Sequence, residues 1–405
     1  MSHTGLVHYL ATVILSKRWR HVWTMLPKLV YTDSDYRRRP GKKENILWFI
    51  GKSLQLHKAH VLESLAIELG PRCSDYVNVG KWVEIAADRR IRRLNLRLSW
   101  LSEPNRLPKR LYICNTFVVL TIFNKIFVDV PSQNIFHKDE DALGRLLSAC
   151  PVLKQLYVRL RRKDNLINIS VAVPSLETFY YTNLEEKNIV ASLVIDCASL
   201  RTFFIQDVSG SSCTIENNKR RLDHALISVF RNLDDKFRTS LSSVKILYFI
   251  LHAGAVDCCN TINFSRLKAC NLKPCALHWL APLMCLLENS PNLEVLIINQ
   301  RDLKDEDSPL TFNQPSCVPK CLSNHLEIFE FEVYRGRSGE KDVVRYIFAN
   351  SKRLKRAGIA IEPSCDRRKM MKEVESMSRV SKSSQLLFST TQFITENSRP
   401  GEYGY

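Results

Sequence analysis

Cysteine and histidine side chains that could coordinate zinc lie close together in one part of the sequence. The candidates are Cys270, Cys275 and His278, with Cys258, Cys259 or Cys285 as a possible fourth ligand. Structural zinc takes four ligands, usually from close cysteine pairs, whereas this pair is five residues apart and the histidine falls in an apolar helical pattern. We therefore predict no metal site, and we interpret these cysteines as buried thiols that pack as small hydrophobic side chains.

The sequence carries no recognisable catalytic motif. It has no nucleophile elbow, no zinc-protease helix and no glycine-rich dinucleotide turn. The triplet Gly51-Lys52-Ser53 is not a phosphate-binding loop, because Ile46 stands where that loop requires glycine. The ten histidines show no pairing with carboxylates. We therefore predict that the protein is not an enzyme and uses no cofactor.

One short apolar pattern recurs along the chain: a leucine, two residues, an apolar residue, one residue, and another apolar residue. Strict copies begin at Leu153, Leu176, Leu200, Leu293 and Leu326. Looser copies begin at Ile91, Phe117, Val244 and Leu354. Several copies are 23 to 28 residues apart, and a period of this size is typical of leucine-rich repeats.

The last two apolar positions of each copy are two residues apart, so both point to one face of a short strand. One such unit cannot bury its own apolar face, but stacked neighbours enclose a continuous core. Helical patterns at 139–149 and 275–289 end before Pro151 and Pro291, and a strand copy follows each. The sequence predicts an α/β leucine-rich-repeat solenoid, with a curved parallel sheet and with helices and loops on the convex side. An ordinary α/β domain with scattered strands is the alternative.

The residue between the last two anchors of each copy should point to the opposite, concave face. These residues are Asn95, Thr121, Tyr157, Tyr180, Phe204, Tyr248, Ile297 and Glu330. The four aromatic ones would form a ladder on neighbouring strands, and exposed aromatic side chains commonly anchor protein interfaces. We predict a target-binding surface at Tyr157, Tyr180, Phe204 and Tyr248. The alternative is that a loop or the tail covers the ladder and makes it core.

The chain is strongly basic, with 59 Lys and Arg against 41 Asp and Glu and a net charge of +18. Such a surface attracts polyanions non-specifically. The charge comes in short clusters, for example Arg159, Arg161, Arg162 and Lys163, which are not interleaved with aromatic residues as a base-stacking platform would be. We interpret the clusters as solvated surface, and nucleic-acid binding is the alternative.

Cysteine usage and hydropathy bear on localisation. The thirteen cysteines are an odd number and are dispersed, which favours free thiols in a reducing compartment over a disulfide framework. The apolar stretch from Leu6 to Leu15 is interrupted by His8 and Thr12 and is shorter than the about 20 residues that span a bilayer. We expect a soluble protein of the nucleus or cytoplasm.

The N-terminal run from Ala11 to Pro27 resembles the last third of the F-box of plant F-box proteins. The similarity is carried by Leu15-Ser16-Lys17-Arg18-Trp19, a second tryptophan at position 23, and Leu26-Pro27. The module in that family is longer and opens with a leucine-proline phrase, so the segment 1–27 corresponds to a partial, helical F-box. By this resemblance, Leu15, Trp19, Trp23 and Leu26 are expected to bind a Skp-family adaptor.

The C-terminal region resembles the FBD domain that follows the repeats in the same plant family. It has the order strand, helix, strand, charged helix, and ends with the phrase Ser381 to Phe388. The expected organisation is a partial F-box at 1–27, a connector at 28–45, leucine-rich repeats at 46–320, an FBD domain at 321–388 that continues the solenoid, and a disordered tail at 389–405.

The resemblance implies a substrate-recognition subunit of a Skp-cullin-F-box ubiquitin ligase, which would bind an unidentified target protein on its repeats. Two alternatives belong to other classes. A protein-interaction scaffold without a ligase link would have the same repeats but no adaptor contact. A basic nucleic-acid-binding repeat protein would show affinity that falls steeply with salt.

Overall fold

The computed structural model describes residues 22–32, 46–70, 79–98, 105–106, 108–123, 126–127, 142–160, 168–184, 190, 192–210, 212–216, 222–229, 235–252, 261–275, 278–301 and 312–389. The chain forms two compact units. The first comprises residues 1–200 and 211–220, and the second comprises 201–210 and 221–405.

Nineteen strands occur in the described residues. In chain order they are β1 (Lys28–Thr32), β2 (Ser64–Leu69), β3 (Arg93–Leu98), β4 (Asn105–Arg106), β5 (Val119–Phe123), β6 (Ile126–Phe127), β7 (Gln155–Leu160), β8 (Asn168–Val171), β9 (Thr178–Asn183), β10 (Ser192–Asp196), β11 (Thr202–Asp207), β12 (Ser212–Glu216), β13 (His224–Val229), β14 (Ile246–Leu251), β15 (Ala269–Pro274), β16 (Val295–Asn299), β17 (Ile328–Tyr334), β18 (Arg356–Ile361) and β19 (Gln385–Ser389).

The described helices are fewer and mostly short. They are α1 (Ile46–Leu56), α2 (Val79–Asp88), α3 (Ala142–Ser148), α4 (Asp235–Leu241), α5 (Leu280–Glu288), α6 (Lys320–Asn324), α7 (Ser338–Asn350) and α8 (Arg367–Glu375). Short 3₁₀ helices occupy Val22–Met25 and Lys109–Ile113. The fold is therefore mixed α/β and strand-rich.

The main sheet of each unit is parallel throughout its described strands. In the first unit the order is β1-β2-β3-β5-β7-β9. In the second it is β11-β13-β14-β15-β16-β17-β18-β19. Each strand thus pairs with the strand of the next repeat, as the recurring pattern predicts.

The described anchors of the recurring pattern are buried. Leu153 precedes β7, and Leu156 and Val158 lie within it. The corresponding anchors of the other strict copies are almost completely inaccessible to solvent. Several strands alternate between an anchor face that is buried and an opposite face that is less so, as β9 and β14 do, whereas β17 and β18 are largely buried on both faces. Hydrophobic burial on one face of each strand therefore holds the sheets together.

The structure shows further copies of the pattern, and three of them lie between copies already recognised or just before them. They are Leu62, Leu65 and Ile67 at β2; Leu222, Ala225 and Ile227 at β13; and Leu267, Cys270 and Leu272 at β15. The sequence pattern misses the latter two because alanine and cysteine are weak markers of a core position. With these copies included, neighbouring repeats from Leu176 to Leu267 are 22 to 24 residues apart.

Short strands replace the helices and loops that the sequence predicts between β7 and β13. β8, β10 and β12 form a separate parallel sheet in the first unit. Their buried residues alternate, as Leu193 and Ile195 do in β10, and this period of two favours strand over helix. The connector predicted at 28–45 also contains a strand, β1, which pairs with β2.

A row of charged side chains lies immediately before many of the strands, at the residue after the leading anchor. Within the first unit Lys154 pairs with Glu177 at 2.9 Å. In the second unit, Asp223 forms ion pairs with Arg201 at 2.6 Å and with Lys245 at 2.8 Å. Burial alone would raise the pKa of Asp223, but the hydrogen bonds from Lys245 and Arg201 outweigh it and lower the pKa. These pairs favour the alignment of neighbouring repeats.

Strand β17 contains an irregularity close to its end. Its pairing with β18 shifts register between Glu332 and Tyr334, and the intervening Val333 has φ of 62°. A left-handed conformation is strained for a β-branched residue, and here it accompanies an extra residue that returns Tyr334 to the core.

Candidate functional site

The residues predicted to bind a target lie on the face opposite the anchors, two of them in each unit. In the first unit Tyr157 of β7 is directly opposite Tyr180 of β9. In the second unit Phe204 of β11 and Tyr248 of β14 are separated by β13, whose Leu226 pairs with both. The prediction of four aromatic residues on successive strands is therefore wrong in detail, because the repeat at β13 was not recognised.

The two tyrosines of the first unit form a parallel stack. Their ring centroids are 4.3 Å apart and the ring planes differ by 11°. Tyr157 is only 8 % exposed, whereas Tyr180 is half-buried. Tyr157 thus supports the position of Tyr180, and Tyr180 is the more accessible member of the pair.

The aromatic residues of the second unit differ in accessibility. Phe204 is 5 % exposed and Tyr248 is half-buried. Burial raises the pKa of Tyr248 to about 12, so its hydroxyl stays protonated and keeps its donor at physiological pH. Phe204 contributes to packing, and a target could reach Tyr248 more readily.

Arginines accompany the tyrosine stack on the same face of the first unit. We call this surface the Arg-Tyr face; its side chains are Arg93, Asn95, Arg97, Val119, Thr121, Gln155, Tyr157, Arg159, Thr178, Tyr180 and Thr182. The strands that carry it, β3, β5, β7 and β9, contain no Asp or Glu. Sequence reasoning treated Arg93 and Arg159 only as members of dispersed basic clusters, and the strand register brings them to one face.

The same face of the second unit has a different chemistry near its C-terminal strands. Glu330 of β17 is fully buried and its carboxylate accepts from Arg356 Nη2 of β18 at 2.6 Å. Glu332 accepts from Asn299 Nδ2 at 2.5 Å. Burial raises the pKa of Glu330, Arg356 opposes this shift, and Glu332 adds to it. This carboxylate is part of the packing, and solvent does not reach it.

The predicted adaptor-docking residues are only partly described. Leu15 and Trp19 lie outside the described residues, and Trp23 lies in the 3₁₀ helix Val22–Met25. Leu26 follows that helix and is half-buried. Of the helical F-box predicted for 1–27, the structure describes only residues 22–27, so this part of the fold stays a prediction.

The buried side chain of His57 contacts residue 26, at the end of this N-terminal segment. His57 Nε2 lies 2.8 Å from the Leu26 carbonyl oxygen, and Arg89 Nη1 lies 2.5 Å from His57 Nδ1. Because the guanidinium can only donate, Nδ1 accepts and Nε2–H donates to Leu26. The amides of Lys58 and Ala59 also donate to the Thr24 carbonyl. The sequence showed no sign of this contact, since its partners are more than 30 residues apart.

Acidification is expected to weaken this contact. Burial lowers the pKa of His57 below its usual 6.5, and the Arg89 charge acts in the same direction, while the Leu26 hydrogen bond opposes them. Stability from neutral His57 is therefore present above pH 6.5 and lost as pH falls through the folded-state pKa. We expect His57→Leu to cost about 1–3 kcal/mol at pH 7.5 and to flatten the fall in melting temperature between pH 7.5 and 5.

The exposed His60 provides a matched control. His60→Gln should leave both the melting temperature and its dependence on pH unchanged. Hydrogen exchange at residues 28–32 would locate the effect. An identical pH dependence in wild type and His57→Leu would show that His57 does not stabilise the junction.

The cysteines considered as zinc ligands are buried or half-buried where the structure describes them. Cys270 is an anchor of β15, and burial raises the pKa of its thiol to about 12. Cys275 and Cys285 are half-buried, while Cys258 and Cys259 lie outside the described residues. Among the residues with described positions, no three His, Cys, Asp or Glu side chains are grouped to hold a metal ion. In the same part of the chain, no helix is both long and apolar enough to cross a bilayer.

Comparisons with known proteins agree with the sequence resemblance. The FBD family matches residues 314–359, a stretch that contains α6, β17 and α7. The chain is 41 % identical to a protein of Arabidopsis thaliana named "Putative F-box/FBD/LRR-repeat protein", over 98 % of this chain and 90 % of the relative. It is 40 % identical to a "Putative FBD-associated F-box protein" of the same plant, over 93 % and 92 % of the two chains. It is also 33 % identical to an "F-box/FBD/LRR-repeat protein" of that plant, over 94 % and 93 %.

Proposed function

The chain belongs to the plant family of F-box/FBD/LRR-repeat proteins, and from that premise we propose that it is a substrate-recognition subunit of a Skp-cullin-F-box ubiquitin ligase. The proposal rests mainly on the extent of one similarity. The alignment with a relative named for F-box, FBD and LRR repeats covers 98 % of this chain. The repeats would form a curved solenoid that holds a target protein, and the protein would act inside the cell, in nucleus or cytoplasm.

The proposed mechanism is proximity, with no chemistry on this chain. The segment that includes Leu15, Trp19, Trp23 and Leu26 would bind the Skp-family adaptor, and the cullin scaffold would carry the enzyme that supplies ubiquitin. Holding the target on the same assembly raises its effective concentration at that enzyme. The hydrogen bond from His57 to Leu26 supports this proposal, because it joins the end of the docking segment to the first repeat.

The faces opposite the anchors are the proposed target-binding surface. Tyr180 in the first unit and Tyr248 in the second combine an aromatic ring with partial exposure, a combination typical of interface anchors. Tyr157 and Phe204 are more deeply buried and would support them. Two functions compete with this proposal: that of an interaction scaffold without ligase linkage, and that of a nucleic-acid-binding repeat protein.

An adaptor pull-down tests the proposal. We expect the full chain to retain a Skp-family adaptor. Deleting residues 1–27, or combining Trp19→Ala with Trp23→Ala, should reduce that retention by at least tenfold. The double variant should do so with little change in melting temperature, whereas the deletion also removes the Thr24 and Leu26 carbonyls that bind residues 57–59 and should lower it. Tyr180→Ala serves as the matched control, since it alters the target face and should leave adaptor retention intact. Equal retention with and without residues 1–27 would favour the scaffold function.

A further inference from the structure

We propose that the Arg-Tyr face of the first unit binds an extended segment of the target protein that carries two anionic side chains three residues apart. This inference rests on the proposed receptor function and adds the chemistry of the partner. Arg93, Arg97 and Arg159 all lie on this face. The four strands that form the face, β3, β5, β7 and β9, contain no acidic residue. A carboxylate or phosphate supplied by a partner would complement them.

Arg159 is the arginine best placed to receive such an anion. It is half-buried beside Tyr157, and it makes no hydrogen bond or ion pair with the residues that the structure describes. Arg93 is exposed and likewise has no side-chain partner in the described part of the chain. A guanidinium binds carboxylate or phosphate oxygens through two parallel hydrogen bonds. Partial burial strengthens that interaction, because water screens it less.

The strand register sets the spacing of the anions. Arg97 and Arg159 share one register line, each pairing with Phe123 of the intervening strand. Two strand spacings place their backbones about 9.6 Å apart. A peptide in the extended polyproline II conformation advances about 3.1 Å per residue with three residues per turn. Its side chains at positions i and i+3 therefore share one face, about 9.3 Å apart, and match this separation when the peptide crosses the strands. Arg97 pairs with the exposed Glu68 of the neighbouring strand β2 at 3.9 Å, and a partner's anion would compete with this long contact.

The tyrosines favour a protein segment over a nucleic acid. A base needs an open ring face on which to stack. Tyr157 is 8 % exposed, and its ring lies against that of Tyr180 at 4.3 Å, so the stack uses one face of each ring internally. The half-buried Tyr180 can contact a peptide through its exposed part.

Fluorescence polarisation with the full chain tests the proposal. The probes are labelled twelve-residue peptides with Glu-x-x-Glu, with phosphoserine at the same two positions, or with Gln-x-x-Gln. We expect at least one anionic peptide to bind ten times or more tightly than the glutamine peptide, and the stronger of the two identifies carboxylate or phosphate as the natural anion. Arg159→Gln should weaken that binding by about tenfold.

Arg368→Gln is the matched control, because it removes one charge from an exposed arginine of α8 in the second unit. It should leave peptide affinity unchanged. Equal affinity of wild type and Arg159→Gln, or of anionic and glutamine peptides, would overturn the inference. So would a twenty-nucleotide single-stranded DNA that binds through Arg159 when no peptide does. Adaptor retention is measured on the same samples, so that loss of the peptide inference is distinguishable from failure of the receptor function.

Discussion

Replacement of Arg356 by methionine is expected to lower the free energy of unfolding by about 3 kcal/mol at pH 7, at the low end of the range for breaking a buried ion pair. The fully buried Glu330 carboxylate would lose the guanidinium 2.6 Å away. Its Oε2 atom has no hydrogen-bond partner in the described structure, so no other group would compensate. The expected loss is at the low end because the Arg356 side chain is 30 % exposed.

The effect should depend on pH in a defined direction. Burial raises the pKa of Glu330, and removal of Arg356 takes away the charge that opposes this shift. With a raised pKa the native state binds more protons than the unfolded state, so stability falls as pH rises from 4.5 through the folded-state pKa. Urea denaturation between pH 4.5 and 7.5 should show the deficit of Arg356→Met shrinking as the pH is lowered.

A double-mutant cycle separates the ion pair from the loss of side-chain packing. Glu330→Gln alone should change stability by less than about 1 kcal/mol, and added to Arg356→Met it should recover most of the deficit. Arg353→Met, at an exposed arginine without a side-chain partner in the described residues, is the charge control and should be neutral. A deficit that persists in the double variant would mean that Arg356 acts through packing alone.

Phe331→Ala is expected to destabilise the protein by about 3–5 kcal/mol, the usual cost of deleting a buried aromatic ring. Phe331 is inaccessible and packs edge-on against Trp279, Phe329 and Tyr334, with centroid distances of 6.2, 6.4 and 5.3 Å. Because it is an anchor of β17 that contacts several aromatic neighbours, its loss leaves a cavity that flanking repeats cannot fill.

The location of the damage tests the repeat architecture. In a stack of repeats each unit contacts mainly its neighbours, so hydrogen exchange should accelerate in β16, β17 and β18 while β2 and β3 keep their protection. Phe331→Leu keeps most of the apolar volume and should cost less than about 1.5 kcal/mol. Uniform loss of protection throughout both units would argue against independent repeats.

Local patterns in the sequence were sufficient to predict the type of element and its buried face. The copies at Leu153, Leu200 and Leu293 each precede a strand whose anchors are buried, because side chains two residues apart in a strand necessarily share a face. The helix predicted at 275–289 is present as Leu280–Glu288. Family membership could also be inferred from the tryptophan-containing N-terminal run and the C-terminal order of elements.

The recurring pattern missed two copies whose middle anchor is small or polarisable. Ala225 and Cys270 occupy anchor positions, and omission of β13 made Phe204 and Tyr248 look like residues of adjacent strands. Tertiary packing selects the side chain at such positions. The space between neighbouring strands admits only a small side chain there, whatever its hydrophobicity.

The sequence by itself determined that the chain is built from repeated strands and that it belongs to a plant F-box family. Only the tertiary structure decided which residues come together: Arg97 and Arg159 lie on one register line two strands apart, Arg356 pairs with Glu330, and the His57 ring donates to the Leu26 carbonyl. The physical reason is that alternation within a strand is a local property, whereas cross-strand contacts depend on every intervening loop and on strands that the pattern does not reveal.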